Sequence, residues 1–302
     1  RINAYSTSPS SLGMSVQLPT LTYTEYTNRQ LVAVPLAVLV VALAVLAGMW
    51  AVTGSPVTLG LEFTGGTEIQ LAPMGADPVA ESAVREAFTA TPASIRTIPG
   101  DGSTVVTFGA GVEATELETQ AQAAGLTVAS VSSVSASFGG ETQRLAIMGV
   151  ALAFAGMSLI VFALFRVFVP AVSIVVSAFS DIMIPLAVMS LLQIELTLGT
   201  VAALLMLIGY SVDSDILLTT NVLRRTGDFY ESTYRARTTG VTMTVTSIVA
   251  MFVMAVVAFL FGIDLLTAIG VVLVIGLSAD LMNTYLLNVA MLRWYKFTGV
   301  AR

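Results

Sequence analysis

Long apolar runs joined by short polar connections dominate this chain. Six of them span about Leu31–Val52, Leu145–Phe165, Pro170–Leu192, Leu196–Thr220, Val241–Phe261 and Leu265–Leu292. Each exceeds 20 residues. At about 1.5 Å per helical residue, each can cross a hydrocarbon core about 30 Å thick. The pattern predicts six transmembrane helices. The connections after runs two, three and five are short, at Arg166, Gln193–Glu195 and Gly262–Asp264, so these neighbours form antiparallel hairpins. The first run carries no ionisable group and reads as a lipid-facing anchor.

Between runs one and two the pattern changes, and turn signals divide it into six elements. Strands are predicted at Thr67–Ala72, Ala93–Ile98, Ser103–Phe108 and Leu126–Val134, with a turn at 99–102. A helix is predicted over Pro78–Ala90 from the spacing of Val79, Ala83, Val84, Ala87 and Phe88, with Asp77 as N-cap. A second covers Glu113–Ala124 and stops at Gly125. The order βαββαβ is that of a ferredoxin-like α+β domain. The division is therefore a tail at 1–28, helix 1 at 29–52, this domain at 53–143, helices 2–6 over 144–292 with a loop at 221–240, and a tail at 293–302.

Composition sharpens this reading. Hydrophobic residues make up 56% of the 302, charged ones 11%, and the mean hydropathy is +0.88. Soluble domains carry about 25% charged residues. No cysteine and no histidine is present, which removes disulfides, thiolate chemistry and the commonest general base and metal ligand. No phosphate-binding loop is evident, so an enzyme reading has nothing to rest on, and no cofactor, metal or nucleic acid is expected. Arg29, Arg166, Arg224, Arg225, Arg235, Arg237, Arg293, Lys296 and Arg302 fall on one side of the six-span topology. The positive-inside rule makes that side cytoplasmic, with both termini inside and the 53–143 domain outside the plasma membrane. That domain holds ten acids between Glu62 and Glu141 against Arg85 and Arg96. Such a surface serves a cationic partner or, in keeping with the single lysine, solubility at high salt.

The membrane runs hold four carboxylates, Asp181, Asp213, Asp215 and Asp280. A charge in hydrocarbon costs at least about 2.5–3.5 kcal/mol, so such residues face a bundle interior or a wet cavity. Asp213 and Asp215 are two residues apart, about 200° around a helix, and point to nearly opposite sides. Asp215 shares its face with Ser211 and Thr219, and Asp213 with Gly209, Tyr210 and Thr220. A helix polar on both sides is expected at the centre of the bundle. Asp280 shares a face with Gly276, Asn283 and Thr284, and Asp181 lies one turn beyond Ser177. Thr238, Thr239, Thr242 and Thr246 add hydroxyls on run five, so polar faces of runs three to six are expected to meet at one level. No Lys or Arg lies within the runs beside these acids. Such a carboxylate is held neutral, binds an external cation, or alternates between the two. Asp213, Asp215, Asp280, Ser211 and Asn283 are the candidate ion-relay residues, Asp213 ranked above Asp215 because Gly209 beside it admits a close helix. Asp181 reads as structural.

Two stretches carry a resemblance. Leu61-Glu-Phe-Thr-Gly-Gly-Thr-Glu-Ile resembles the (D/E)F-T-G-G motif of the SecD/SecF family, and Gly209-Tyr-Ser-Val-Asp-Ser-Asp resembles the span-four signature of its SecF members. Arg224-Arg225 and Tyr234-Arg-Ala-Arg-Thr-Thr-Gly, with Thr246-Ser247, resemble its cytoplasmic loop and fifth span. The resemblance covers about residues 29–292 and implies half of an RND-type transporter. It implies an accessory subunit that pairs with SecD at the Sec translocon channel and, drawing on a proton or sodium gradient, helps preproteins across or into the bilayer. A non-transporting scaffold and an RND-type efflux half are the alternatives. The bacterial pattern places its acid where this chain has Ser214; carboxylates at both flanking positions resemble an archaeal, halophilic type. Phe63, Thr64, Gly65 and Gly66 form the motif, which reads as a hinge or a simple turn, glycine permitting positive φ. Arg224, Arg225, Arg235 and Arg237 mark the loop.

Overall fold

The computed structural model describes residues 23–75, 77–98, 102–224 and 229–299. Helix α1 spans Asn28–Thr53 and opens with a reciprocal capping box: the Thr27 hydroxyl accepts from the Gln30 amide, and the Gln30 side chain accepts from the Thr27 amide. It is not a free anchor. Leu31, Pro35, Leu39, Ala42 and Leu46 form a buried stripe, and most of the other positions are exposed. After Gly54 the chain leads through a short helix α2 (Leu61–Thr64) into the small sheet domain between α1 and α5, called the outer domain for the side that the positive-inside rule predicts.

The outer domain runs β1 (Gly66–Leu71), α3 (Glu81–Ala87), β2 (Ser94–Thr97), β3 (Thr104–Phe108), α4 (Ala114–Ala123), β4 (Val128–Val134). All six predicted elements are present. Helix α3 starts at Glu81 with Ala80 as its N-cap, so Asp77 is not the cap expected. Of the predicted turn, residues 99–101 lie outside the described residues. The four strands form one antiparallel sheet in the order β2-β3-β1-β4. Alternation along β1 and β3 puts Ile69, Leu71, Val106 and Phe108 on one face, packed against Val84, Phe88, Leu117 and Ala121. The Phe88 and Phe108 rings meet edge to face at 5.1 Å.

The remaining chain is helical: α5 (Ala136–Phe165), α6 (Phe168–Leu192), α7 (Leu198–Arg224), α8 (Phe229–Leu260), and a last rod made of α9 (Asp264–Met282), a π-helical turn (Asn283–Asn288) and α10 (Val289–Trp294). With α1 these supply six helices long and apolar enough to span a membrane. Two boundaries differ from expectation. Helix α5 begins at Ala136, nine residues before the apolar run, because the Ser135 hydroxyl caps it by accepting from the Phe138 amide. Helix α8 begins at Phe229 rather than Val241, so Arg235 and Arg237 lie on a helix and not in a loop. Helices α6, α7 and α9 form the core around Ile174, Ala178, Ile182, Leu204, Leu207, Leu273 and Leu277.

The outer domain is fastened to the bundle at the loop between α6 and α7. Gly60 donates its amide to the Leu196 carbonyl and Leu196 donates to the Thr58 carbonyl, at 2.9 and 2.8 Å. The Glu62 carboxylate accepts from the Leu198 amide at the start of α7, at 2.6 Å. Arg96 of β2 bridges Glu195 in the loop (3.4 Å) and Glu68 of β1 (3.6 Å). Burial raises the Glu195 carboxyl above its ordinary range, against the opposing pull of Arg96. At the opposite end, Arg293 donates to the Tyr23 and Tyr26 carbonyls and to the Asn28 side chain. That ties the segment before α1 to the end of the last rod.

Candidate functional site

Three of the four membrane aspartates meet in one buried polar cluster. Asp181 comes from α6, Asp215 from α7 and Asp280 from α9, each at most 1% exposed. Asp181 accepts from Ser211 Oγ and Asn283 Nδ2, both at 2.6 Å. Asp215 Oδ1 accepts from Thr284 Oγ1 at 2.6 Å and from Asn288 Nδ2 at 2.5 Å. Asp280 faces Ser214 Oγ at 3.0 and 3.1 Å and Thr284 Oγ1 at 3.3 Å. Asn288 accepts in turn from Ser173 on α6. Among the described residues, no ion pair involves any of the three carboxylates.

The last rod supplies much of this shell because it changes its winding. Five-residue spacing in a π-helix carries Asn283 and Asn288 to nearly the same side, whereas an α-helix would turn them about 140° apart. The π-helical turn therefore presents Asn283, Thr284 and Asn288 together, all buried. Close helix approach is built in alongside. A Cβ on Gly276 would fall 2.2 Å from Leu207 Cδ2, and one on Gly240 would fall 2.0 Å from Tyr285 Oη.

Of the candidate residues, Asp215, Asp280, Ser211 and Asn283 come together, and Asp213 does not. Asp213, Gly209 and Tyr210 are exposed on the far side of α7, with nothing of this chain within 4 Å of a Gly209 Cβ. The expectation that α7 is enclosed on all sides therefore fails for this chain by itself. Asp181, read from sequence as structural, sits in the cluster through Ser211 and Asn283. The hydroxyls of α8 do not join: Thr238, Thr239, Thr242 and Thr246 are exposed and each donates to the carbonyl four residues back. A threonine satisfied by its own helix has no need of the bundle interior. Ser214, standing where the bacterial pattern has its acid, instead holds an acid brought by α9.

The Phe63-Thr64-Gly65-Gly66 motif lies at the outer junction. Gly65 has φ 68° and Gly66 φ 131°. A Cβ on Gly65 would meet Ala136 Cα at 2.7 Å, and one on Gly66 would meet the Phe108 carbonyl at 2.2 Å. Gly139 of α5 closes on the same backbone, 2.8 Å from the Gly65 nitrogen by the same measure. Phe63 is buried. On the other side of the bundle, Arg235 pairs with Glu231 at 3.0 Å and Arg237 lies 6.0 Å over the Tyr23 ring. Arg224 ends α7, and Arg225 lies outside the described residues.

Comparison with known proteins agrees with these features. Residues 114–298 match the family described as protein export membrane protein SecD/SecF, C-terminal. Residues 50–72 match the SecD/SecF GG motif. The protein-export membrane protein SecF of Haloferax volcanii is 63% identical over 94% of this chain and 98% of its own. That of Haloquadratum walsbyi is 60% identical over the same shares. The crystal structure of SecDF, a translocon-associated membrane protein from Thermus thermophilus, superposes with a TM-score of 0.72 at 22% identity. It covers 89% of this chain, which spans 38% of that structure's length. The chain thus belongs to the SecD/SecF family of protein-export membrane proteins, among its SecF members.

Proposed function

We propose that this chain is the SecF-side accessory subunit of the Sec translocon. It pairs with SecD and promotes export or membrane insertion of preproteins, coupled to a proton or sodium gradient. In this reading the bundle is one half of an RND-type transporter, the outer domain is ferredoxin-like, and the chain is not an enzyme. The names of its relatives supply the pathway. The observation that carries the coupling is the cluster itself: three carboxylates on three helices, buried, hydrogen-bonded and, among the described residues, in no ion pair. An ion-driven machine needs an intramembrane acid whose charge can be gained and lost.

Pairing with SecD draws support from the face of α7 that this chain leaves bare. Gly209, Tyr210 and Asp213 lie there at membrane depth, and a carboxylate in contact with lipid tails is unfavourable. A second bundle packed on that face removes the conflict. Orientation with both termini in the cytoplasm of a plasma-membrane protein rests on the arginine and lysine distribution.

The test is export of a secreted reporter in cells carrying Asp215→Asn or Asp213→Asn, with assembly with SecD followed in parallel. Asp215→Asn is expected to abolish export with assembly intact, and Asp213→Asn to weaken assembly. Unchanged export with Asp215→Asn would make the cluster a neutral strut and the chain a scaffold.

A further inference from the structure

We propose that a cleft at the end of the bundle away from the outer domain binds the phosphate headgroup of an anionic membrane lipid, held by Arg29 and Arg293. The site is separate from the aspartate cluster and needs no ion coupling.

The cleft has a volume of about 500 Å³ and is lined by Thr27, Asn28, Arg29, Tyr230, Arg293 and Phe297, from the start of α1, the start of α8 and the end of the last rod. Its hydrogen-bonding capacity is one-sided. A guanidinium has five N–H donors. Arg293 uses three of them, on the Tyr23 and Tyr26 carbonyls at 2.6 and 2.8 Å and on Asn28 Oδ1. All three acceptors are neutral, so they hold the side chain in place without cancelling its charge, and two N–H groups remain. The bond to Oδ1 also leaves the Asn28 amide nitrogen with its donors unused. Among the described residues, the Arg29 side chain and the Tyr230 hydroxyl make no hydrogen bond, and neither Arg29 nor Arg293 is in an ion pair. No carboxylate among the described residues lines the cleft. The described acids at this end are Glu25 and Glu231, and Glu231 is already paired with Arg235. A cavity that offers two cationic forks, an amide and a phenol, with no anionic group of its own, selects an anion. Arginine forks match the oxygens of a phosphate in pairs.

Position and shape select a lipid over a soluble anion. Arg29 stands two residues before the first apolar run and Arg293 directly after the last, so both lie at the level of the membrane surface. Tyr26 and Trp294, close to them in sequence, and Phe297 in the cleft wall are exposed aromatics, as is usual at a membrane–water interface. Basic pockets between transmembrane helices at that depth suit lipid headgroups. The volume falls in the range of small-molecule sites, roughly 300–1,000 Å³, and exceeds what a lone phosphate fills. An apolar track leads from the cleft into the hydrocarbon. Ala33, Leu36 and Val40 follow Arg29 on one face of α1, and all three are exposed. A lipid whose phosphate is held by the two arginines therefore finds a surface for its chains on the same helix.

The experiment is native mass spectrometry of the full chain, delipidated in a neutral detergent and titrated with phosphatidylglycerol, phosphatidylcholine or inorganic phosphate. One phosphatidylglycerol is expected to bind saturably, about tenfold or more tightly than phosphatidylcholine, whose choline brings a positive charge to the arginines. Inorganic phosphate is expected neither to bind alone nor to displace the lipid. Arg29→Gln is expected to weaken phosphatidylglycerol about tenfold, the effect of losing one charge-assisted contact. It should leave the melting midpoint in lipid-free detergent unchanged, since it removes no hydrogen bond within the chain. Arg235→Gln, which removes a charge at the same end but outside the cleft, is expected to change the affinity less than about twofold. No saturable adduct, equal affinity for the two lipids, or equal losses in Arg29→Gln and Arg235→Gln would overturn the site and leave only a diffuse attraction between this end and the membrane. Displacement by inorganic phosphate would overturn the lipid assignment and make the cleft a site for a soluble phosphate.

Discussion

Replacing Gly66 by alanine is expected to unfold the outer domain. Gly66 adopts φ 131°, which a residue with a side chain rarely reaches. Holding such a residue in a sparsely populated region costs about 1–3 kcal/mol. The new Cβ would lie 2.2 Å from the Phe108 carbonyl oxygen. That oxygen is backbone at the head of the β1–β3 ladder, opposite Thr67, so it cannot swing aside as a side-chain tip would. Forcing a methyl into packed structure costs about another 1–3 kcal/mol. The sum, about 2–6 kcal/mol, matches or exceeds the 3–5 kcal/mol or so that a core of this size supplies. Gly75→Ala is the control. Gly75 also has positive φ, 75°, but nothing within 4 Å, so it should lose only the strain, about 1–2 kcal/mol. The assay is urea-dependent protease protection of the outer domain in membrane vesicles. Equal midpoints for the two variants would refute the reasoning, because the contact with Phe108 would then contribute nothing.

Three further outcomes follow from the geometry. Gly276→Ala brings a Cβ within 2.2 Å of Leu207 Cδ2 in the centre of the bundle. It should lower stability by about 1–3 kcal/mol in detergent melts; an unchanged melt would mean that α7 and α9 pack less closely than described. Glu62→Ala removes the acceptor for the Leu198 amide. It should cost about 0.5–2 kcal/mol, with Glu62→Gln largely restoring it, since an amide oxygen still accepts; equal losses in both would implicate charge alone. Glu195 has its carboxyl raised by burial from an ordinary 4.5, so the folded chain holds protons there that the unfolded chain has released. Its contribution is complete below that value and falls as pH rises through the folded value. Glu195→Gln should flatten that decline in melts recorded across the window, and an unaltered slope would exclude Glu195 as its source.

Much of this was legible in the residues, and the limits have physical causes. Six spans follow from run length, and the sheet elements follow from alternation and turn glycines. The sequence also separates Asp213 from Asp215, since two helical residues always diverge. It does not say which of them turns inward. That depends on Thr284 and Asn288, which reach Asp215 across 69 and 73 residues of chain. Asp181 reads as merely structural in the sequence for the same reason, because its partners sit on α7 and beyond α9. The π-helical turn is invisible to a 3.6-residue period, and with it the convergence of Asn283 and Asn288. The threonines of α8 mislead in the opposite direction, because hydroxyl content alone does not reveal that each is already satisfied by its own helix.

The two aspartates of α7 therefore divide the work of one helix. Asp215 faces inward to α6 and the last rod, within a shell supplied entirely by this chain. Asp213 faces outward, beside Gly209 and Tyr210, where this chain offers it nothing. Glu62 holds the outer end of the same helix through the Leu198 amide, and the motif glycines lock Glu62's own segment against α5 and β3. A shift of α7 that repacks the cluster must therefore act on the outer domain at one end and on the Asp213 face along its side. Helix α7 is in contact with all three places.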